Sequence, residues 1–354
     1  MKGKPIQSIC IALLLVLGVA STQAGAAVFT VGSNGEGNYT SIQEAINNAQ
    51  NGDTILVSPG VYRENVNVNK ELSIISGTDP SGGMINRTYV IGAIPVNDVF
   101  TIRSNNVTIS GFYIAGGPSG IDMDREVGIS LEGVQNCLIS NNTLILNDIG
   151  IGLNNSHFNL LDNNIIGFGT SGIYLTQSNE NELSNNVATI NSHGIHIDNS
   201  TNNTLMGNTV ESNEVGFLLS ASRMNTLENN FVLRNDNGVG LDNMAGSNTL
   251  TNNSLYMNGI GMYFNGSSGN TIYLNDFFNF FNAEDEGTNT WNSSTAGNMW
   301  NDYNGTDADG NGIGDTPYVV NQTTGSIDYM PLVENVSSEE TLENMDGNSI
   351  GMSM

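Results

Sequence analysis

The sequence predicts an all-β fold: a right-handed, single-stranded parallel β-helix of about ten coils, with an N-terminal capping helix and an aromatic C-terminal cap. Three observations carry this expectation. Glycine recurs every 22 residues at Gly128, Gly150, Gly172, Gly194, Gly216 and Gly238, then at Gly261 after 23. Each glycine opens a glycine–apolar–x–apolar tetrad, as in Gly172-Ile173-Tyr174-Leu175. Asparagine fills a second column of the same period, at Asn142, Asn164, Asn186, Asn208, Asn230, Asn253 and Asn275, flanked by apolar columns such as Ile139, Leu161, Leu183 and Leu144, Ile166, Ala188.

The period dictates the architecture. Apolar residues two apart make short strands with one buried face. Strands this short cannot close a sheet within a repeat, so each pairs with its equivalent in the next. The laps then stack at about 4.8 Å with like side chains in register. A parallel crossover favours the right-handed wind. The asparagine column is expected inside a bend as an amide ladder, and the glycines at bends that need positive φ or close backbone approach. Both columns are scaffold on this reading, not site.

The elements follow in chain order. Lys2 and Lys4 precede an apolar run from Ile9 to Val19 and an Ala24-Gly25-Ala26 site. This is the pattern of a secretory signal over residues 1–26, with an uncleaved anchor as the alternative. The run is shorter than the ~20 residues of a membrane span, and no other stretch approaches one. Cys10 leaves with the signal, so Cys137 is alone and is expected to be a buried, inert thiol. Ser41 to Ala49 is the best helix. Ser41 can cap it with Glu44 three residues on, and Ile42, Ala45, Ile46 and Ala49 form one apolar stripe that can cover the open end of a solenoid. Strands are expected at 53–57, 66–68, 72–75, 99–102 and 107–109, before the regular repeats of 128–283. The C-terminal cap is placed at 284–332, with bulk from Trp291, Trp300, Tyr303 and Tyr318, closing a β-helix domain of 27–332. Residues 333–354 are acidic and aperiodic, the composition of a flexible tail.

Composition bounds the function. Among 354 residues, 56 are Asn and 42 Gly, with 38% hydrophobic, which disfavours both a helical bundle and a disordered chain. The formal charge is −26, and −28 once the two signal lysines are gone. That balance excludes a nucleic-acid partner and repels anionic polysaccharide unless a cation bridges the two. Thirteen N-x-S/T sequons are present, and secretion makes some of them glycosylation acceptors. Asn141 and Asn252 adjoin the ladder and are expected to be hindered.

The sharpest chemical motif is Asp307-Ala-Asp309-Gly-Asn311-Gly-Ile313-Gly-Asp315. Oxygen-bearing side chains at positions 1, 3, 5 and 9, with the Ile313 carbonyl at 7, suit a structural calcium ion. The loop departs from the EF-hand at position 12, which is Tyr318, and a metal-free turn remains the alternative. His193 and His196 bracket Gly194, with Asp198 following. Asp198 and Asp242 share an outward column with Ser220 between, about 9.6 Å apart on the stacking distance. That is near the separation of an inverting glycosidase's carboxylates, although one shared column in so acidic a chain assigns no catalytic residue.

The segment Gly52-Asp-Thr-Ile-Leu-Val-Ser-Pro-Gly-Val-Tyr62, within Tyr39 to Ser76, resembles the cap and first coils of pectin-lyase-like proteins. The repeats, with Gly297-Asn-Met-Trp-Asn-Asp-Tyr303 and Asp328-Tyr-Met-Pro-Leu332, resemble NosD-like right-handed β-helix proteins, abundant at the surface of methanogenic archaea. The resemblance implies an exported cell-surface protein with a structural or recognition role, binding polysaccharide or an envelope glycan. Its superfamily also holds lyases, hydrolases and copper-site maturation factors, so the fold does not fix the activity. A polysaccharide-active lyase or hydrolase is the first alternative, and a NosD-like copper-site maturation factor the second. His157, His193 and His196 are not spaced with Met as copper ligands. Oligomeric state is left open.

Overall fold

The computed structural model describes residues 25–77, 87–94, 97–116 and 126–333. The expected tail from 334 onward and nearly all of the expected signal lie outside them. Each regular lap gives one strand to each of three parallel sheets. Sheet A runs from Val28–Val31 to Thr271–Tyr273, sheet B from Gly60–Arg63 to Met299–Trp300, and sheet C from Val66–Val68 to Phe281–Asp285. Sheets A and B hold eleven strands and sheet C ten. This right-handed solenoid is slightly longer than the repeat suggested, because early strands such as Thr88–Ile91 and Tyr113–Ala115 lack the glycine marker.

Register follows the period. Ile129, Ile151, Ile173, Ile195, Phe217, Val239 and Met262 stack above one another in sheet C, each at most 1% exposed. Burying a side chain of this size contributes about 1.5–3 kcal/mol, and the column repeats the gain lap after lap.

The bends differ from expectation in one respect. The glycines of the 22-residue column lie inside the sheet C strands rather than at bends, as Gly194 does in His193–Asp198, and none adopts a positive φ. These glycines serve close approach instead: a Cβ on Gly194 would lie 2.6 Å from the Gly216 carbonyl oxygen. The left-handed turns fall to other residues. Asn141, Asn163, Asn185 and Asn229 (φ 54–57°) turn the chain from sheet A to sheet B, and Leu146, Phe168 and Ile190 (φ 57–64°) turn it from B to C. Asparagine tolerates that region, whereas a β-branched residue such as Ile190 pays a steric cost there.

The expected asparagine ladder exists, and two more run beside it. In the first, Asn208 Nδ2 donates to Asn230 Oδ1 (3.0 Å) and to the Leu183 carbonyl (2.8 Å), while its Oδ1 accepts from the backbone N–H and Nδ2 of Asn186 (both 3.0 Å). A second ladder climbs Asn159, Asn181, Asn203, Asn225, Asn248 and Asn270, and a third climbs Asn191, Asn213, Asn235 and Asn258. A buried amide with all its hydrogen-bonding capacity used is stable in a core where an unpaired one would cost about 1–3 kcal/mol.

Both ends are covered. The helix spans Ile42–Asn48, and Ser41 Oγ accepts from the Glu44 N–H at 3.2 Å. The Glu64 carboxylate, from across the lap, accepts from the Ile42 and Gln43 N–H groups at 2.9 Å each. Lys70 Nζ donates to three carbonyls at the helix's other end. At the C-terminal end Phe277, Trp300 and Tyr318 stack in sequence, with centroids 4.4 and 4.2 Å apart. Trp291 meets Phe264 edge-on. Two buried carboxylates anchor the indoles: Asp285 accepts from Trp291 Nε1 (2.8 Å) and Asp328 from Trp300 Nε1 (2.9 Å). Cys137 is buried, and burial raises its thiol pKa, so it is an unreactive core residue.

Candidate functional site

Sheet C has the longest strands, mostly six residues, and its outward positions carry the chemistry. In the tetrads the two apolar residues point inward and the residue between them points out. Register places Tyr174, His196, Leu218, Gly240 and Tyr263 in one outward column. Asp198, Ser220 and Asp242 form a parallel column two residues on, as the sequence indicated. His193 lies in the same strand as His196, His193–Asp198, and their rings sit 5.2 Å apart. The histidines therefore share a face rather than flanking a bend. Tyr174 packs on His196 at 5.0 Å. Gly240 leaves a notch that the Tyr263 ring fills, since a Cβ there would lie 2.3 Å from that ring.

The electrostatics are uneven. Burial holds the His193 imidazolium pKa below the usual histidine value, against the pull of Glu214 and Asp242. Burial, then Asp242, raises the Tyr263 phenol. His193 is thus biased toward the neutral imidazole at neutral pH, a form that both donates and accepts a hydrogen bond. At the N-terminal end of the same sheet a shallow polar depression of about 390 Å³ is lined by Asn65, Asn67, Asp98, Thr101 and Arg103 among others. Burial raises the Asp98 carboxyl despite the Val127 N–H it accepts. Arg103 pairs with Glu132 at 2.8 Å.

The Asp-rich loop brings its predicted residues together, with every acid engaged. Asp307 accepts from the N–H groups of Asn311 (3.1 Å) and Gly312 (2.8 Å), and the latter is the main reason its carboxyl lies below the usual range. Asp309 accepts from Asn311 Nδ2 at 2.9 Å, Asp315 from the Ala308 N–H at 2.9 Å, and Asn311 Oδ1 from the Ile313 N–H at 2.8 Å. Ile313 itself bridges to Leu332, tying the loop to the last lap. Among the described residues no three carboxylates, imidazoles or thiolates converge at metal-ligand spacing. This holds for Asp307, Asp309 and Asp315, whose oxygens bond the loop's own amides, and for a copper site alike. His157 Nδ1 accepts from the Asn179 N–H (3.1 Å) and the Cys137 sulfur contacts two backbone carbonyls, and neither residue forms a three-ligand group with His193 and His196. Among the described residues the histidine, cysteine and carboxylate side chains form no group that would hold copper.

Sequence reasoning named His193, His196, Asp198, Ser220 and Asp242 but passed over Tyr174, Glu214 and Tyr263. The signal for both tyrosines was their place as the third residue of a tetrad. Among the sequons, Asn141 and Asn252 are exposed on left-handed turns rather than hindered.

A family model described as periplasmic copper-binding protein (NosD) matches residues 46–235 and 102–305. A cell surface glycoprotein of Methanothermus fervidus is 36% identical over 135 residues, covering 37% of this chain and 20% of that relative, so the match spans about a fifth of the relative's length. The fold is similar to that of XylC in complex with xylose (TM-score 0.61, 11% identity, 77% of this chain and 74% of that one). It is also similar to the Dettilon tailspike protein (0.57, 14%, 70% and 56%) and to the A-module of the Azotobacter vinelandii mannuronan C-5 epimerase AlgE6 (0.52, 16%, 73% and 87%). At these identities the likeness is one of fold. No helix among the described residues is long and apolar enough to cross a membrane.

Proposed function

The chain belongs to the NosD family, and from that premise we propose that it is an extracytoplasmic, cell-surface β-helix protein that binds a neutral glycan along the outward face of sheet C. The observation that carries the reading is the tilted Tyr174–His196 ring pair set beside the Asp198 and Asp242 column. A pyranose has an apolar C–H face that packs on rings and equatorial hydroxyls that bond carboxylates and imidazoles. Laps repeat at about 4.8 Å, so the face is long enough for several sugar units, and the polar depression at 65–103 extends it. A net charge of −26 disfavours a polyuronate. Surface location accords with the methanogen relative and with the periplasmic description of the family.

Calorimetry with xylohexaose, cellohexaose, mannohexaose and oligogalacturonate tests the proposal. At least one neutral hexasaccharide should bind with a Kd of about 0.1–1 mM, weakening about tenfold in Tyr174→Ala and in His196→Ala. Absence of binding to every neutral sugar, or binding that both variants leave unchanged, defeats it.

One arrangement favours a catalytic reading of the same face: the His193 and His196 rings sit 5.2 Å apart on the strand that carries Asp198, with Asp242 in the same column as Asp198. The same incubations scanned for new reducing ends or unsaturated products test it. Turnover lost in Asp242→Asn would make the site an enzyme's.

A further inference from the structure

Sheet B presents a second face that the glycan reading does not use, and its chemistry is opposite. Its inward residues, Leu144, Ile166 and Ala188, are at most 1% exposed and fill the core. Its outward positions on three successive laps are Thr143 and Ile145, Ile165 and Gly167, then Val187 and Thr189, so three of the six are large and apolar. Ile145, Ile165 and Val187 stand half-buried on the outer surface of three successive laps. Beside them the left-handed turn residues Leu146, Phe168 and Ile190 are 64%, 45% and 48% exposed. A folded chain gains nothing by holding leucine, phenylalanine and isoleucine in left-handed turns open to water, where asparagine would be less strained and better solvated. These three laps carry no charge on that face, in a chain with 35 acidic residues. Further along, Glu211 and Arg234 neutralise each other at 2.9 Å. Phe231, Tyr256 and Phe278 then continue the apolar surface, with ring centroids 5.8 and 6.3 Å apart.

We infer that the outer face of sheet B is the contact surface of a homodimer, with a second copy of this chain as its occupant. Charge decides the partner. Two copies bearing −26 each repel through sheets A and C, but the outer side of sheet B carries Arg63, Glu211 and Asp276 with Arg234 beside them, so neither sign dominates there. An anionic lipid surface would be repelled by the rest of the molecule. A glycan would find few hydrogen-bonding groups among aliphatic side chains. Size agrees. With the fifth of eleven strands at the centre, nine strands at about 4.8 Å overlap over about 38 Å, and a three-residue strand with its turn residue is about 13 Å wide, giving about 500 Å² per copy and about 1,000 Å² in all, at the lower end for specific interfaces. A two-fold axis through the Ile165–Phe168 lap sets Leu146 of each copy against Ile190 of the other, the self-complementary arrangement such a dimer requires.

Sedimentation velocity of the exported protein tests this. A dimer should form with a micromolar Kd, and raising salt from about 20 to about 500 mM should tighten it by screening the repulsion between copies. The Leu146→Glu, Ile190→Glu double variant should weaken it about 100-fold at unchanged circular dichroism and melting temperature, because Ser212 and Arg234 already occupy the same column without harm. Met206→Glu, on the outer face of sheet A, should leave the dimer intact. A monomer at about 100 µM, a dimer that survives the double variant, or equal dissociation by Met206→Glu each overturns the inference. So does a monomer that instead binds neutral phosphatidylcholine vesicles.

Discussion

Replacing Asn208 by alanine removes one rung from the middle of the first ladder. The rung makes four hydrogen bonds, all buried. Alanine leaves the Asn186 backbone N–H, one Asn186 amide hydrogen and the Leu183 carbonyl without that partner, while Asn230 Oδ1 keeps its bond from the residue-208 N–H. At about 1–3 kcal/mol per stranded group, and with some relief if a water enters, the loss should be about 3–6 kcal/mol. The comparison is Asn229→Ala. That side chain is exposed and its backbone is left-handed (φ 55°), so it forfeits only a turn preference of about 1–2 kcal/mol. Guanidinium unfolding measures both, with the denaturant slope showing whether the solenoid still melts as one unit. Hydrogen exchange at the Asn186 amide should accelerate in Asn208→Ala alone. If Asn208→Ala costs no more than Asn229→Ala, the ladder is not what holds the laps together.

Other expected outcomes test other parts of the fold. Gly216→Ala puts a Cβ 2.5 Å from the Gly238 carbonyl oxygen and 2.9 Å from Val210 Cγ2, so it should destabilise by about 1–3 kcal/mol although glycine is the poorer strand former, as chemical denaturation would show. Burial raises the Asp328 and Asp98 carboxyl pKa values, so the folded state holds protons that the unfolded chain has released. Stability should therefore rise as pH falls through the raised folded-state values toward the unfolded carboxylate range, the gain being complete below that range, and the rise should be smaller in Asp328→Asn by calorimetric melting. Asp307 has the opposite sign, but its loss begins only at the acid end of that range. For the Asp-rich loop, added calcium should raise the melting temperature and Asp307→Ala, Asp309→Ala should abolish the increase, and a melt indifferent to calcium and chelator removes the ion from the cap.

Much of this was legible before any coordinates. A strict period converts directly into register, so the stacking of Ile129 through Met262 and the pairing of Asp198, Ser220 and Asp242 could be counted from the chain alone. The two extra ladders obey the same period at Asn159 and Asn191, but with 56 asparagines in the chain several periodic columns compete, and the period alone does not say which amides point inward. Left-handed turns at Leu146 and Ile190 were hidden because residue preference points to glycine there, whereas stacking overrides preference when each lap repeats the last. The Tyr174–His196 contact needed three dimensions: residues 22 apart touch only once laps are stacked. Glu64 capping the helix has no local signature either, since it arrives from the far side of a lap.

The lap is also a unit of measure. Any rung of the first ladder meets the next through the same bonds, whether the partner is Asn186, Asn208 or Asn230. Excising 22 residues from one glycine to the next, such as 195–216, would bring equivalent amides together and shorten the rod by about 4.8 Å. Length in this scaffold can be tuned in whole notches, the way a ratchet is set, while the two end pieces stay as they are.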